Sequence, residues 1–117
     1  MKFSYLATLI IALSISTAAL AASKEEELFL KGNCNNCHTH SADTVGPTRI
    51  AIADKYRGDP NAQEKLEQKV RVGGSGSWGV MPMPGTRSSI TDAEISILVK
   101  WILESKPLPE KSEKKAK

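Results

Sequence analysis

Cys34-Asn35-Asn36-Cys37-His38 organises everything around it. Two cysteines three apart, followed at once by a histidine, form C-x-x-C-H, the attachment motif of a c-type haem. The spacing has a mechanical reason. Cysteines so placed at the end of a helix reach the two vinyl groups of one porphyrin and form thioethers, and the next residue projects its imidazole onto the iron. Cys34 and Cys37 are therefore the expected haem thioethers and His38 an expected iron ligand. Two other chemistries share parts of the pattern. A thioredoxin-like C-x-x-C pair needs a βαβ context. A zinc site drawn from Cys34, Cys37, His38 and His40 would set adjacent Cys37 and His38 on one tetrahedral ion, whereas structural zinc sites usually separate their ligand pairs widely. His40 by itself reads as a surface residue.

A covalent ring also answers a problem of size. Residues 1–21 open with Lys2, run through the apolar Leu9-Ile10-Ile11-Ala12-Leu13 and close on Ala19-Leu20-Ala21, the layout of a secretory signal peptide cleaved near Ala21. Removing those 21 residues of 117 leaves 96, enough for one small domain. Phe29, Tyr56, Trp78 and Trp101 are then the remaining aromatics. A domain of this size buries only about 60–65% of its unfolded surface and is marginal without a staple. A disulfide between Cys34 and Cys37 would close a tiny loop and staple nothing, so a bound cofactor is expected to fill the middle.

Charge excludes one class of partner. Residues 22–106 hold seven Lys and four Arg against eleven Asp and Glu, so the positive excess of the mature chain lies in residues 107–117, a Lys/Glu-rich segment read as a flexible tail. A neutral body without a basic stripe gives nucleic-acid binding little support. Ser14, Ser16 and Thr17 break the leader's apolar run, which is short for a bilayer span, so no stable membrane insertion is expected.

Three helix starts follow from the capping-box pattern, in which a cap oxygen takes an orphan amide and a Glu three residues on reaches back. Ser23 with Glu26 opens a helix ending near Gly32, immediately before the cysteines. Asn61 with Glu64 opens another, with Leu66 and Val70 on one face, stopped by Gly73-Gly74. Thr91 with Glu94 opens the longest, where Ile95, Leu98, Val99 and Ile102 repeat at i, i+3, i+4 and i+7 and Pro107 marks the end. A shorter helix is expected from about Thr48 to Tyr56. No stretch alternates apolar and polar residues convincingly enough for a strand, so the expected class is all-α.

Between the second and third of these capped helices lies the loop Gly73 to Gly85, unusually long for so small a domain and carrying Trp78, Met81 and Met83. Haem iron held by one imidazole needs a decision on its sixth position, and a thioether is a suitable soft ligand. Met81 and Met83 each precede a proline, and Pro82-Met83-Pro84 is a stiff presenter of one side chain. Met83 is thus the expected axial ligand and Met81 a packing residue.

On these residues, together with Val45-Gly46-Pro47, Trp78-Gly79 and Lys100-Trp101, the chain resembles the class I c-type cytochromes, in particular the small bacterial monohaem cytochromes c of the five-fifty-one type. The resemblance covers nearly all of residues 22–106. It implies three to five helices wrapped around one covalently attached haem c, with His38 and Met83 as axial ligands and the Pro47 carbonyl holding the His38 ring. It further implies that the Trp78 indole donates to a haem propionate and that Phe29 and Trp101 pack where the first and last helices cross. The sequence departs from the family at Asn33, where Gly commonly precedes the first Cys, and at Thr86, where an Asn often steadies the Met sulfur. The stretch from Thr86 to Ile90 is also longer than usual.

The expected function is a soluble periplasmic one-electron carrier, monomeric and not an enzyme, shuttling electrons between a redox-protein donor and acceptor. A haem-based enzyme or gas binder with a labile sixth ligand, and a membrane-tethered oxidase or reductase subunit, are the alternatives.

Overall fold

The computed structural model describes residues 22–107; the expected signal segment at 1–21 and all but the first residue of the expected tail at 107–117 lie outside them. Within the described residues the order is α1 (Lys24–Lys31), a short 3-10 turn (Cys34–Asn36), α2 (Arg49–Lys55), α3 (Ala62–Val72) and α4 (Asp92–Leu103). Among these residues there is no strand, only an isolated antiparallel bridge between Gly74 and Met83. No described helix is long and apolar enough to cross a membrane.

The helix ends follow their caps unequally. At α4 the box is complete: the Thr91 hydroxyl accepts from the Glu94 amide and the Glu94 carboxylate accepts from the Thr91 amide. At α1 the Ser23 hydroxyl accepts from the Glu26 amide at 3.2 Å, and at α2 the Thr48 hydroxyl accepts from Ala51. The box expected at α3 does not form. Asn61 sits at φ −103°, ψ 8° rather than in the extended conformation that aims a cap side chain back along the helix. Asp59 takes over, accepting from the Asn61 amide at 2.9 Å and from the Lys65 ammonium at 2.7 Å. At the other end of the domain α4 stops at Leu103 with Glu104 as its cap, short of Pro107.

The longest helix is the spine of the core. One cluster gathers Leu28 and Phe29 of α1 with Leu98 of α4, and Cys34 and Trp101 pack against it. A second gathers Ile90, Ile95 and Val99, covered by Leu66 and Val70 of α3. The i, i+3, i+4 apolar stripe of α4 thus faces α1 through Leu98 and α3 through Ile95 and Val99. Phe29 and Trp101 meet edge to face, centroids 5.6 Å apart, an arrangement that places a ring's positive edge on its neighbour's negative face. That packing is the helix crossing the resemblance implied.

Candidate haem site

The chain leaves α1 through Gly32 and turns at Asn33, whose φ of 55° lies in the left-handed region. Only Gly, Asn and Asp enter that region readily, so Asn33 can make the turn that carries the chain from α1 into the first cysteine. The next residues wind into the 3-10 turn that presents Cys34 and Cys37. Both are free, half-buried thiols. Burial pushes the Cys34 thiol up, a backbone hydrogen bond opposes that rise and the neighbouring Cys37 adds to it.

His38 is fixed from two directions. Its Nδ1 donates to the carbonyl oxygen of Pro47 at 2.8 Å, which leaves Nε2 as the free lone pair and sets the ring's orientation. Behind the ring lies Gly46. A Cβ there would stand 2.6 Å from His38 Cε1 and 2.8 Å from Nδ1, so the position has room for no side chain. The Gly46 amide donates to Cys37 O at 2.8 Å, tying the Val45-Gly46-Pro47 turn to the cysteine motif.

His38 also lines a cavity of about 200 Å3 with Phe29, Leu30, His40, Arg49 and Trp101. Arg49 is the residue whose part no local pattern announces. Its guanidinium lies 4.1 Å from the Trp101 centroid and 5.5 Å from that of Phe29, a cation held on aromatic faces. Burial lowers its pKa, Glu26 opposes that shift, and the group stays charged. His40, expected at the surface, is instead half-buried, and its Nε2 is enclosed without a hydrogen-bond partner among the described residues. Its backbone explains the inward position, since the His40 carbonyl accepts from Ile50 and the Thr39 carbonyl from Arg49, pinning this segment to the start of α2.

The second half of the site is the loop after α3. Gly73 ends that helix at φ 72°, and a Cβ there would lie 2.3 Å from Met83 O, so the returning chain crosses directly over a glycine. Gly74 and Met83 exchange both backbone bonds, at 2.9 and 3.0 Å. Flanked by prolines, Met83 carries the only N–H of Pro82-Met83-Pro84, and that N–H and its carbonyl are both committed to Gly74. Met83 is half-buried against its protein neighbours, whereas Met81 is 67% exposed and takes no part in the core between the helices. Trp78 is 47% exposed with Lys55 Nζ 4.4 Å from its ring centroid, and Lys55 also donates to Ser77 O.

These residues fit a covalently held haem. Two free thiols three apart, an imidazole with Nδ1 committed and Nε2 free, and a pinned methionine form the soft and borderline donor set that suits iron in a porphyrin. No group of three or more His, Cys, Asp or Glu among the described residues is arranged to hold a bare metal ion.

Comparison with known proteins agrees with the geometry. The cytochrome c family model matches residues 23–106. Cytochrome c-551 of Allochromatium vinosum is 42% identical over 92 residues, covering 79% of this chain and 97% of that protein. Cytochrome c-552 of Hydrogenobacter thermophilus is 42% identical over 81 residues, 69% of this chain and 81% of that protein. The crystal structure of Nitrosomonas europaea cytochrome c552 superposes with a TM-score of 0.64 at 38% identity, covering 69% of this chain and 99% of its own. Likeness of sequence along the whole described domain and likeness of fold converge: the chain belongs to the cytochrome c family, as a class I monohaem member carrying one covalently bound haem c.

Proposed function

We propose that this haem c electron carrier is exported to the periplasm, where it shuttles one electron at a time between a donor and an acceptor protein. In this reading residues 1–21 are a cleaved signal, residues 22–106 form the haem-bearing domain and residues 107–117 a flexible tail. Cys34 and Cys37 hold the ring, His38 and Met83 occupy the two axial positions, the Pro47 carbonyl orients His38, and the Trp78 indole donates to a propionate. When bound, the haem supplies a one-electron ferric–ferrous couple.

The observation that carries the reading is the pinning of Met83. Both of its backbone groups are engaged by Gly74, and prolines on either side remove its neighbours' freedom, so one thioether is presented repeatably. Two protein ligands leave no open position for a substrate, which favours a carrier over a catalyst, and a monomer docking weakly on larger partners suits such a role. The test is the weak near-infrared absorption of a sulfur-to-ferric-iron bond together with carbon monoxide binding to the reduced protein. The band and slow carbon monoxide binding are expected in the wild type, and Met83→Ala should lose both properties. Rapid binding by the wild type would move the protein to the gas-binding alternative.

A further inference from the structure

Arg71 stands on the last turn of α3, two residues before the loop that carries Met83 begins. Its guanidinium reaches over the loop's returning limb. Nε and Nη2 donate to Asp92 Oδ1 at 2.9 and 2.6 Å, and Nη2 also donates to Ile90 O at 2.8 Å. Nη1 reaches the carbonyls of Thr86 at 3.4 Å and Arg87 at 3.3 Å. The backbone adds a tie in the same place, since the Thr86 amide donates to Val70 O at 3.0 Å. One side chain thus gathers the segment from Thr86 to Asp92, and Met83 lies three residues before it.

We infer that Arg71 is a clamp on this limb, a positioning residue that sets how rarely the segment from Met83 to Thr86 opens and hence how firmly the Met83 thioether stays at the iron. The second half of this inference rests on the axial role proposed for Met83. The segment from Thr86 to Ile90 is irregular apart from a turn in which Arg87 O accepts from the Ile90 amide at 3.0 Å, so its carbonyls have no helix or sheet partner, and a planar fork of donors meets those of Thr86 and Ile90 and shares that of Arg87. The carbonyls matter more than the ion pair. Asp92 is 90% exposed, and a pair with so wet a partner is screened and weak. Ile90 is 1% exposed at the limb's far end, a fixed point against which the guanidinium pulls the intervening residues. A lysine at position 71 would keep the charge for Asp92 but could not span three carbonyls from one ammonium.

The test uses the haem-loaded, exported protein and the substitutions Arg71→Gln, Arg71→Lys, Asp92→Asn and Met83→Ala. Amide hydrogen exchange at Met83 and Thr86, read by NMR, reports opening of the limb without reference to the iron, and exchange at Leu28 to Lys31 of α1 reports global stability. Cyanide binding to the ferric form reports departure of the sixth ligand. Loss of a charge-assisted donor predicts about tenfold faster exchange at Met83 and Thr86 and about tenfold faster cyanide binding in Arg71→Gln. Arg71→Lys should behave like Arg71→Gln, Asp92→Asn like the wild type, and α1 exchange should not move in any of the three. Wild-type exchange of the limb in Arg71→Gln, an equal effect of Asp92→Asn, or a matching acceleration in α1 would each overturn the clamp. Faster limb exchange with unchanged cyanide binding, in a protein where Met83→Ala also changes nothing, would reject the axial role of Met83 and with it the clamp's action on the iron.

Discussion

His38 Nδ1 donates to the Pro47 carbonyl across nine residues of chain at 2.8 Å, and the glycine between them, Gly46, packs so close to the imidazole that a Cβ there would stand 2.6 Å from it. A backbone acceptor cannot be removed by substitution, but the glycine beside it can be filled. Gly46→Ala should push the ring off its carbonyl or shift the turn, at an overpacking cost of about 1–3 kcal/mol. Urea unfolding of the haem-loaded protein measures that cost, and the reduction potential should move with the His38 ring. An alanine variant with wild-type stability and potential would show that the turn yields without disturbing the ligand.

The edge-to-face contact of Phe29 with Trp101 joins the first and last helices. Phe29→Ala should cost about 3–5 kcal/mol, since it empties a site that is 5% exposed in the wild type. Arg49→Met, which keeps length over the rings but loses the charge, should cost no more than about 2 kcal/mol. Thermal unfolding of both variants checks the order; a larger loss from Arg49→Met would make the cation, not the ring pair, the main tie.

Acid should weaken the start of α4. The Glu94 carboxyl is held below its ordinary value first by the Thr91 amide and then by the Lys31 ammonium at 3.1 Å. A depressed carboxylate contributes stability that is present above its unfolded pKa and is lost as pH falls through the lower folded value. The loss therefore belongs to the range below about pH 4.5, not to neutral pH. Glu94→Gln should flatten that part of the stability–pH curve and change little at pH 7. A slope identical to the wild type's would place the acid sensitivity elsewhere, with Asp59, held down chiefly by Lys65, the next residue to replace.

Met81→Ala and Met83→Ala should separate cleanly. Met81 is 67% exposed, so its truncation should change stability by no more than about 0.5 kcal/mol and leave the near-infrared band intact. Met83→Ala should abolish the band and lower the reduction potential, as expected when a thioether leaves haem iron. Finding the band lost in Met81→Ala instead would reassign the ligand.

Intact-mass measurement of the exported protein should give the chain without residues 1–21 plus one haem that survives denaturation. Cys34→Ala or Cys37→Ala should weaken that attachment. A mass equal to the bare chain with two free thiols would remove the haem from this protein.

The chain's local chemistry was enough for some features. C-x-x-C-H needs one pentapeptide, the α4 stripe needs only i, i+3, i+4 spacing, and Thr91 with Glu94 is a capping box whose partners are three residues apart. All-α class, helix order and the loop bearing Met83 followed from such short-range rules. Where a short-range rule competed with an equally short alternative it failed: Asp59, two residues before Asn61, took the amide that the box pattern had assigned otherwise. Other features depend on groups distant in sequence. Arg49 reaches Trp101 across 52 positions, Lys55 meets Ser77 and Trp78 from the end of α2, and Arg71 finds Ile90 and Asp92 only because α3 and α4 pack side by side. His40 turned inward for the same reason, through backbone bonds to a helix not yet begun at that point of the chain. A cation, an imidazole or an arginine fork carries no periodicity that names its partner, so its role exists only once packing has brought that partner within hydrogen-bond or cation–aromatic reach.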